Sequence, residues 1–246
     1  MIPKIIHYCW FGGNPKSELI LRCIDSWKEF LPDYEIREWN EENFDISCNT
    51  YVKQAYEAKK WAFVSDYARL YALYNYGGIY LDTDILLLKS LDNFLYDEAF
   101  TGLEARDSTA TGVMGCESKN LFIKEFLDMY SQLQFIREDG SYDMTTNTAR
   151  ISKYLHEKGL VLNGKKQIVG GLKIYNQIIF YPNTIGTIFK RYPKRSYTVH
   201  LDDQSWKNQE DKRDMSSIKG RTRKFLVGIL RNLIGTQGVT KLKKSK

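Results

Sequence analysis

Between Trp61 and Leu88 the hydrophobic period of the chain changes twice, and few folds accommodate the change. The stretch WAFVSDYARLYALYNYGGIYLDTDILLL opens with Val64, Tyr67, Ala68, Tyr71 and Tyr74 at helical spacing. Gly77-Gly78 predict the end of that helix, because glycine adopts the left-handed backbone that closes one. Ile79-Tyr80-Leu81 then read as a short buried strand, and Asp82 and Asp84 stand where it emerges. Residues two apart on a strand face the same way, so both carboxylates are expected at one site. Two adjacent carboxylates repel unless a cation or a hydrogen-bond network neutralises them. A hard divalent ion with oxygen ligands suits such a pair, and such ions also hold substrate phosphates. A polar strand end without a ligand is the other reading of the same residues.

The rest of the chain places this block in a mixed α/β sheet. Lys4–Trp10 is expected as a first buried strand, left by the glycine-bearing loop Phe11–Pro15. Such a loop at the carboxyl end of a strand is a usual ligand position in open α/β sheets. A helix over Ser17–Leu31 and a strand over Tyr34–Trp39 follow, and that order predicts a right-handed parallel crossover. Further helices are expected over Asn49–Ala58, over Asn120–Leu133 with Leu121, Phe122, Phe126, Leu127 and Tyr130 inward, and over Thr148–Glu157 with Asn147 as its cap. Ala99–Glu104, Gly112–Cys116, Lys173–Tyr181 and Ser196–His200 read as strands, and a polar loop runs from His200 to Trp206.

Charge divides the chain. The formal net charge is +6, but the nine basic residues after Asp214, where no acidic residue occurs, account for more than all of it and leave the body at −3. This argues against a nucleic-acid-binding body and towards a tail that meets an anionic surface. Two units are therefore expected, 1–213 as the folded domain and 214–246 as a basic amphipathic helix and tail that lies on a membrane surface. The four cysteines form no CxxC pair, which excludes a zinc framework and suggests reduced thiols in a cytosolic setting. No apolar run approaches the length of a membrane span. A cytoplasmic protein, peripheral on the inner face of the membrane, is the expectation.

Asp66 and Arg69 lie three apart on the aromatic helix and so share a face. Exposed, such a pair is worth little. Buried beside two more carboxylates, it needs a reason.

The segment SDYARLYALYNYGGIYLDTDI, with PKIIHYCWFGG at the start and His200-x5-Trp206 near the end, resembles the DXD-containing sugar transferases of glycosyltransferase family 32. That family includes bacterial capsule and exopolysaccharide enzymes and yeast initiating mannosyltransferases, and the large clostridial glucosylating toxins share its central pattern. The resemblance covers about residues 1–210 and is most specific at Asp66, Arg69, Gly77, Gly78, Tyr80, Asp82 and Asp84. It implies a GT-A fold with a mixed, mostly parallel sheet flanked by helices. It also implies retaining transfer of a hexose from a nucleotide diphosphate sugar, a UDP-sugar first among them, with Mn2+ or Mg2+. The acceptor is expected to be a saccharide, lipid-linked in the favoured case. By the same resemblance Trp10 packs on the nucleotide base and Asp66 and Arg69 hold the donor sugar. Tyr80 lies near the nucleotide, and Asp82 and Asp84 serve the cation. His200, Ser205 and Trp206 belong to a loop closing on the diphosphate, with His200 as a metal ligand. The sequence departs from the pattern at Leu201–Gln204, so Asp203 stands beside His200 as a possible third ligand, and Thr145-Thr146-Asn147 is assigned to the acceptor side. Two other readings remain: a haloacid-dehalogenase-like phosphatase with Asp82 as nucleophile, and a non-catalytic sugar-nucleotide-binding protein. The first is disfavoured because the motif follows a long helix instead of opening the chain.

Overall fold

A computed structural model describes residues 1–182 and 192–201. The segment Ser205-Trp206, Asp203, and the expected amphipathic helix and tail of 214–246 lie outside the described residues, as does the expected domain boundary.

A seven-stranded sheet runs through the molecule in the order β2 (Glu35–Trp39), β1 (Ile5–Cys9), β3 (Gly78–Leu81), β6 (Ser108–Cys116), β5 (Ala99–Ala105), β8 (Leu172–Tyr175), β7 (Gln167–Val169). Strands β1, β2, β3, β5 and β8 point one way, β6 and β7 the other, so the sheet is mixed and mostly parallel as expected. The crossover from β1 to its parallel neighbour β2 is made by α1 (Glu18–Phe30), whose first turn is capped by Ser17. Strand alternation feeds two cores. Ile79 and Leu81 face one with Trp27 of α1; Tyr80 faces the other. That second core is closed by α2 (Thr50–Glu57), α3 (Trp61–Tyr76), α4 (Leu121–Asp128) and α5 (Asn147–Glu157).

The join between α3 and β3 positions everything downstream. Gly77 and Gly78 have φ of +66° and +97°, and a Cβ on Gly77 would lie 2.6 Å from the Ser118 amide nitrogen. The buried His7 ring lies 2.7 Å from the Gly77 carbonyl through Nε2, while its Nδ1 accepts from Trp39 Nε1 at 3.1 Å. This pattern puts the ring proton on Nε2, which donates to Gly77. Burial pushes the His7 imidazole down to about 4, against the Gly77 hydrogen bond, so it stays neutral.

Two short strands outside the main sheet, β4 (Ile85–Leu87) and β9 (Thr198–His200), pair antiparallel with Ile85 opposite His200. Trp27 Nε1 donates to the Ile85 carbonyl at 2.7 Å, and the Leu87 amide donates to Ser26 Oγ at 3.0 Å. Helix α1 thus fixes the strand that follows the aspartates.

Five expectations are corrected. Asp82 and Asp84 do not sit on a continuing strand: β3 ends at Leu81 and the Ile85 amide bonds back to the Asp82 carbonyl at 2.9 Å, so a turn brings the carboxylates together. The helix from Asn120 ends at Asp128 and continues as a 3-10 turn over Met129–Gln132; Leu121 is 79% exposed, because Phe122, Ile123 and Phe126 fill the inward face. The strand at Gly112–Cys116 begins earlier, at Ser108, since Ser108 and Thr109 also pair with Ala105 and Leu103 along the β5–β6 hairpin. Of the expected Lys173–Tyr181 strand, Lys173–Tyr175 lie in β8, which begins at Leu172; Gln177–Phe180 forms the single turn α6, the ambiguity inherent in a short apolar run. Finally, α5 is capped by Thr146, whose side chain accepts from the Ala149 amide, which frees Asn147 for a different contact.

Candidate active site

A cleft of about 540 Å3 opens beside the carboxyl ends of β1 and β3. One wall is Trp10 and Phe11 from the loop after β1, another is the inner face of α3, and Asp82–Asp84 and His200 line it as well. Trp10 is pinned by donation from Nε1 to the Asn14 carbonyl at 2.6 Å, and Lys16 Nζ lies 5.4 Å from its ring centroid.

Asp66 and Arg69 come to this cleft together. Helical spacing places Arg69 Nη2 3.0 Å from Asp66 Oδ1, with both residues buried. Arg69 Nη1 reaches Asp82 Oδ1 at 3.1 Å and donates to the Thr111 carbonyl at 2.9 Å. The guanidinium carbon lies 4.5 Å from the Tyr80 ring centroid, a cation–π contact. Burial alone works against the Arg69 charge, but the carboxylates of Asp82 and Asp66 outweigh it and raise its pKa.

Asp66 is the strained partner. Burial pushes its carboxyl up to about 6; Arg69 opposes the shift and Asp82 adds to it. Its Oδ2 accepts from the Asn147 amide at 3.1 Å, and Asn147 Nδ2 donates to the Asp66 carbonyl at 3.1 Å. Tyr130 OH donates to Asn147 Oδ1 at 3.1 Å. The segment leading into α5 is held by Asp143, which pairs with Arg150 and Arg137. A buried ion pair rarely stabilises relative to an apolar pair of the same volume, so this assembly points to function.

The second cluster is Asp82, Asp84 and His200. One possible ligand atom from each lies within 4.8 Å of the others, and His200 Nε2 is 3.0 Å from Asp84 Oδ1. Pairing of β9 with β4 delivers His200 here, and the Leu201 amide bonds to the Asp84 carbonyl at 2.9 Å. Two carboxylates and an imidazole suit a divalent cation. Tyr80, its hydroxyl pushed well above the usual range by burial, stays protonated and donates to Asp82 Oδ1 at 3.0 Å.

The structure therefore brings Trp10, Asp66, Arg69, Tyr80, Asp82, Asp84 and His200 to one cleft. Ser205 and Trp206 lie outside the described residues. Nothing in the local sequence of Thr111 and Gly112 on β6 distinguishes them from other strand residues. Asn147, expected as a helix cap and with Thr145-Thr146 on the acceptor side, is 1% exposed and lines the cleft, a burial set by the packed fold alone.

Residues 17–101 match the family described as "Glycosyltransferase sugar-binding region containing DXD motif". Inositol phosphoceramide mannosyltransferase 3 of Schizosaccharomyces pombe is 30% identical over 126 residues, 50% of this chain and 35% of that protein. An uncharacterised glycosyltransferase of Acanthamoeba polyphaga mimivirus is 29% identical over 161 residues, 60% of this chain and 61% of that protein. The chain thus spans about a third of the length of the mannosyltransferase it matches. A solved glycosyltransferase involved in glycosylation of the major capsid of PBCV-1 superposes with a TM-score of 0.49 at 11% identity, over 87% of this chain and 98% of that one.

Proposed function

We propose that this chain, whose residues 17–101 match the glycosyltransferase sugar-binding region that contains the DXD motif, transfers a hexose, with retention, from a nucleotide diphosphate sugar to a saccharide. The observation that carries the reading is the convergence of Asp82, Asp84 and His200 in a cleft whose other side is the buried Asp66–Arg69 pair. In this reading Asp84 and His200, together with Asp82, would hold Mn2+ or Mg2+, which when bound would supply Lewis-acid stabilisation of diphosphate charge. Trp10 offers its ring to the base. Arg69 and Asp66 orient the sugar hydroxyls, and the Asp66 carboxylate favours the cation-like sugar carbon electrostatically. Ser205 and Trp206 would add donors to the diphosphate. The mixed sheet, with the aspartates leaving the carboxyl end of β3, supports a GT-A arrangement.

UDP-hexoses come first as donors, and the mannosyltransferase relatives put GDP-mannose beside them. The relative's inositol phosphoceramide acceptor also supports an acceptor carried on a lipid. A peripheral position on an anionic membrane through the basic tail fits that acceptor; no helix among the described residues is long and apolar enough to cross a membrane. Neither the family match nor the relatives support the phosphatase alternative.

The test is a screen of nucleotide sugars for Mn2+-dependent hydrolysis and transfer. Turnover of at least one donor that is abolished by chelation and restored by Mn2+ is expected. Donor binding without turnover under all conditions would favour a non-catalytic binding protein, and an aspartyl-phosphate trapped on Asp82 would favour the phosphatase.

A further inference from the structure

Gly112 lies in β6, and its carbonyl accepts from the Asp82 amide at 2.8 Å. Unlike the glycines of the α3–β3 join, it has no positive φ, so its backbone would accept an ordinary L residue. What stands in the way of a side chain is the candidate metal site itself. A Cβ at position 112 would lie 2.5 Å from Asp82 Oδ2 and 3.2 Å from Asp82 Cγ, with the Tyr181 hydroxyl also 3.2 Å away. The other carboxylate oxygen of Asp82 is already committed, to Arg69 at 3.1 Å and to Tyr80 at 3.0 Å. The Asp82 carboxylate is thus gripped by donors on one oxygen and received by a bare backbone at the other.

We propose that Gly112 is a positioning residue for the cation site, present so that Asp82 can hold the orientation from which it serves the metal. The inference rests on the metal-dependent reading above. A methyl group at 112 must push the carboxylate aside. The displaced carboxylate then either gives up its Arg69 and Tyr80 donors or leaves the group it forms with Asp84 and His200. Residues that orient metal ligands without touching the metal commonly change affinity 10- to 100-fold when altered, and Gly112 acts on a ligand more directly, through van der Waals exclusion.

The experiment is a double-mutant cycle of Gly112→Ala and Asp82→Ala, read by Mn2+ titration with electron paramagnetic resonance detection and by thermal unfolding. Gly112→Ala is expected to weaken Mn2+ binding roughly tenfold or more, and to change it less than about twofold when Asp82 is already alanine, since the carboxylate it would displace is gone. Any loss of melting temperature caused by Gly112→Ala should also vanish in that background. If Gly112→Ala fails to fold, the double variant should fold. Unchanged Mn2+ affinity in Gly112→Ala overturns the inference, as does an equal penalty in both backgrounds, or a double variant that remains unfolded where Asp82→Ala folds. A parent chain that binds no Mn2+ overturns the metal reading and this inference with it, whereas a parent that binds while Gly112→Ala matches it overturns the inference alone.

Discussion

Replacing Asp66 by asparagine should make the protein more stable and nearly inactive. The residue is 8% exposed, and its carboxyl is pushed from 3.8 up to about 6 by burial, despite Arg69 at 3.0 Å. A carboxyl whose folded pKa exceeds its unfolded one favours folding fully below the unfolded value, and that contribution is lost as pH rises through the folded value. The window here is pH 3.8 to about 6. A shift of about two units is worth about 3 kcal/mol at roughly 1.4 kcal/mol per unit, so near pH 8 the ionised Asp66 costs about that much. Asparagine has the same shape, keeps an acceptor for the Asn147 amide and leaves Arg69 paired with Asp82. Asp66→Asn should therefore gain up to about 3 kcal/mol at pH 8, or roughly 6–12 °C in melting temperature for a domain of this size. The gain should fade as pH falls towards 4. Donor turnover should drop by about two orders of magnitude or more, since the variant lacks the charge that faces the sugar. Urea and thermal unfolding from pH 4.5 to 8.5, with donor hydrolysis measured on the same samples, test both halves. A variant less stable than the parent at pH 8, or one whose stability tracks the parent's at every pH, would refute the reasoning.

Asp84→Asn should abolish donor turnover and Mn2+ dependence together while the fold persists by circular dichroism; turnover that stays intact and sensitive to chelator would remove Asp84 from the metal site. His7, whose imidazole burial pushes from 6.5 down to about 4, should be neutral and protonated on Nε2 at pH 5.5 by nitrogen-15 NMR. Because the unfolded chain takes up that proton first, stability should decline as pH falls from 6.5 towards 4, by about 3 kcal/mol in all; His7→Gln should flatten this part of the profile. Deleting residues 219–246 should weaken binding to vesicles containing anionic lipid and leave donor hydrolysis unchanged, and loss of hydrolysis would instead make the tail part of the catalytic unit.

How far the site could be read from the sequence follows the range of the forces involved. Asp66 and Arg69 are legible because a helix fixes residues three apart on one face. Asp82 and Asp84 are legible because a short apolar strand and two glycines announce them. Strand alternation predicts their convergence, but a turn closed by Ile85 is what achieves it. His200 could be named by resemblance, yet what brings it to Asp84 is pairing between β4 and β9, which no local pattern encodes. The contacts of Thr111, Gly112 and Asn147 were invisible for the same reason, since each depends on which strand or helix lies alongside. The α6 turn is not legible because Ile178-Ile179-Phe180 satisfies a buried strand and a buried helix equally well.

The ribbon of β4 and β9 has a consequence for how the chain tolerates change. The alignment of His200 with Asp84 is set by a register of three residue pairs, Ile85 with His200, Leu86 with Val199 and Leu87 with Thr198. Side chains alternate along each strand, so sliding β9 by one position would carry His200 to the opposite face. Length is therefore a discrete variable at Thr198–His200, where a single inserted or deleted residue is a change of parity. Trp27 and Ser26 lock the other rail of the ribbon against α1, so β4 cannot shift to compensate. The imidazole is thus indexed to the aspartates by counting residues along the ribbon.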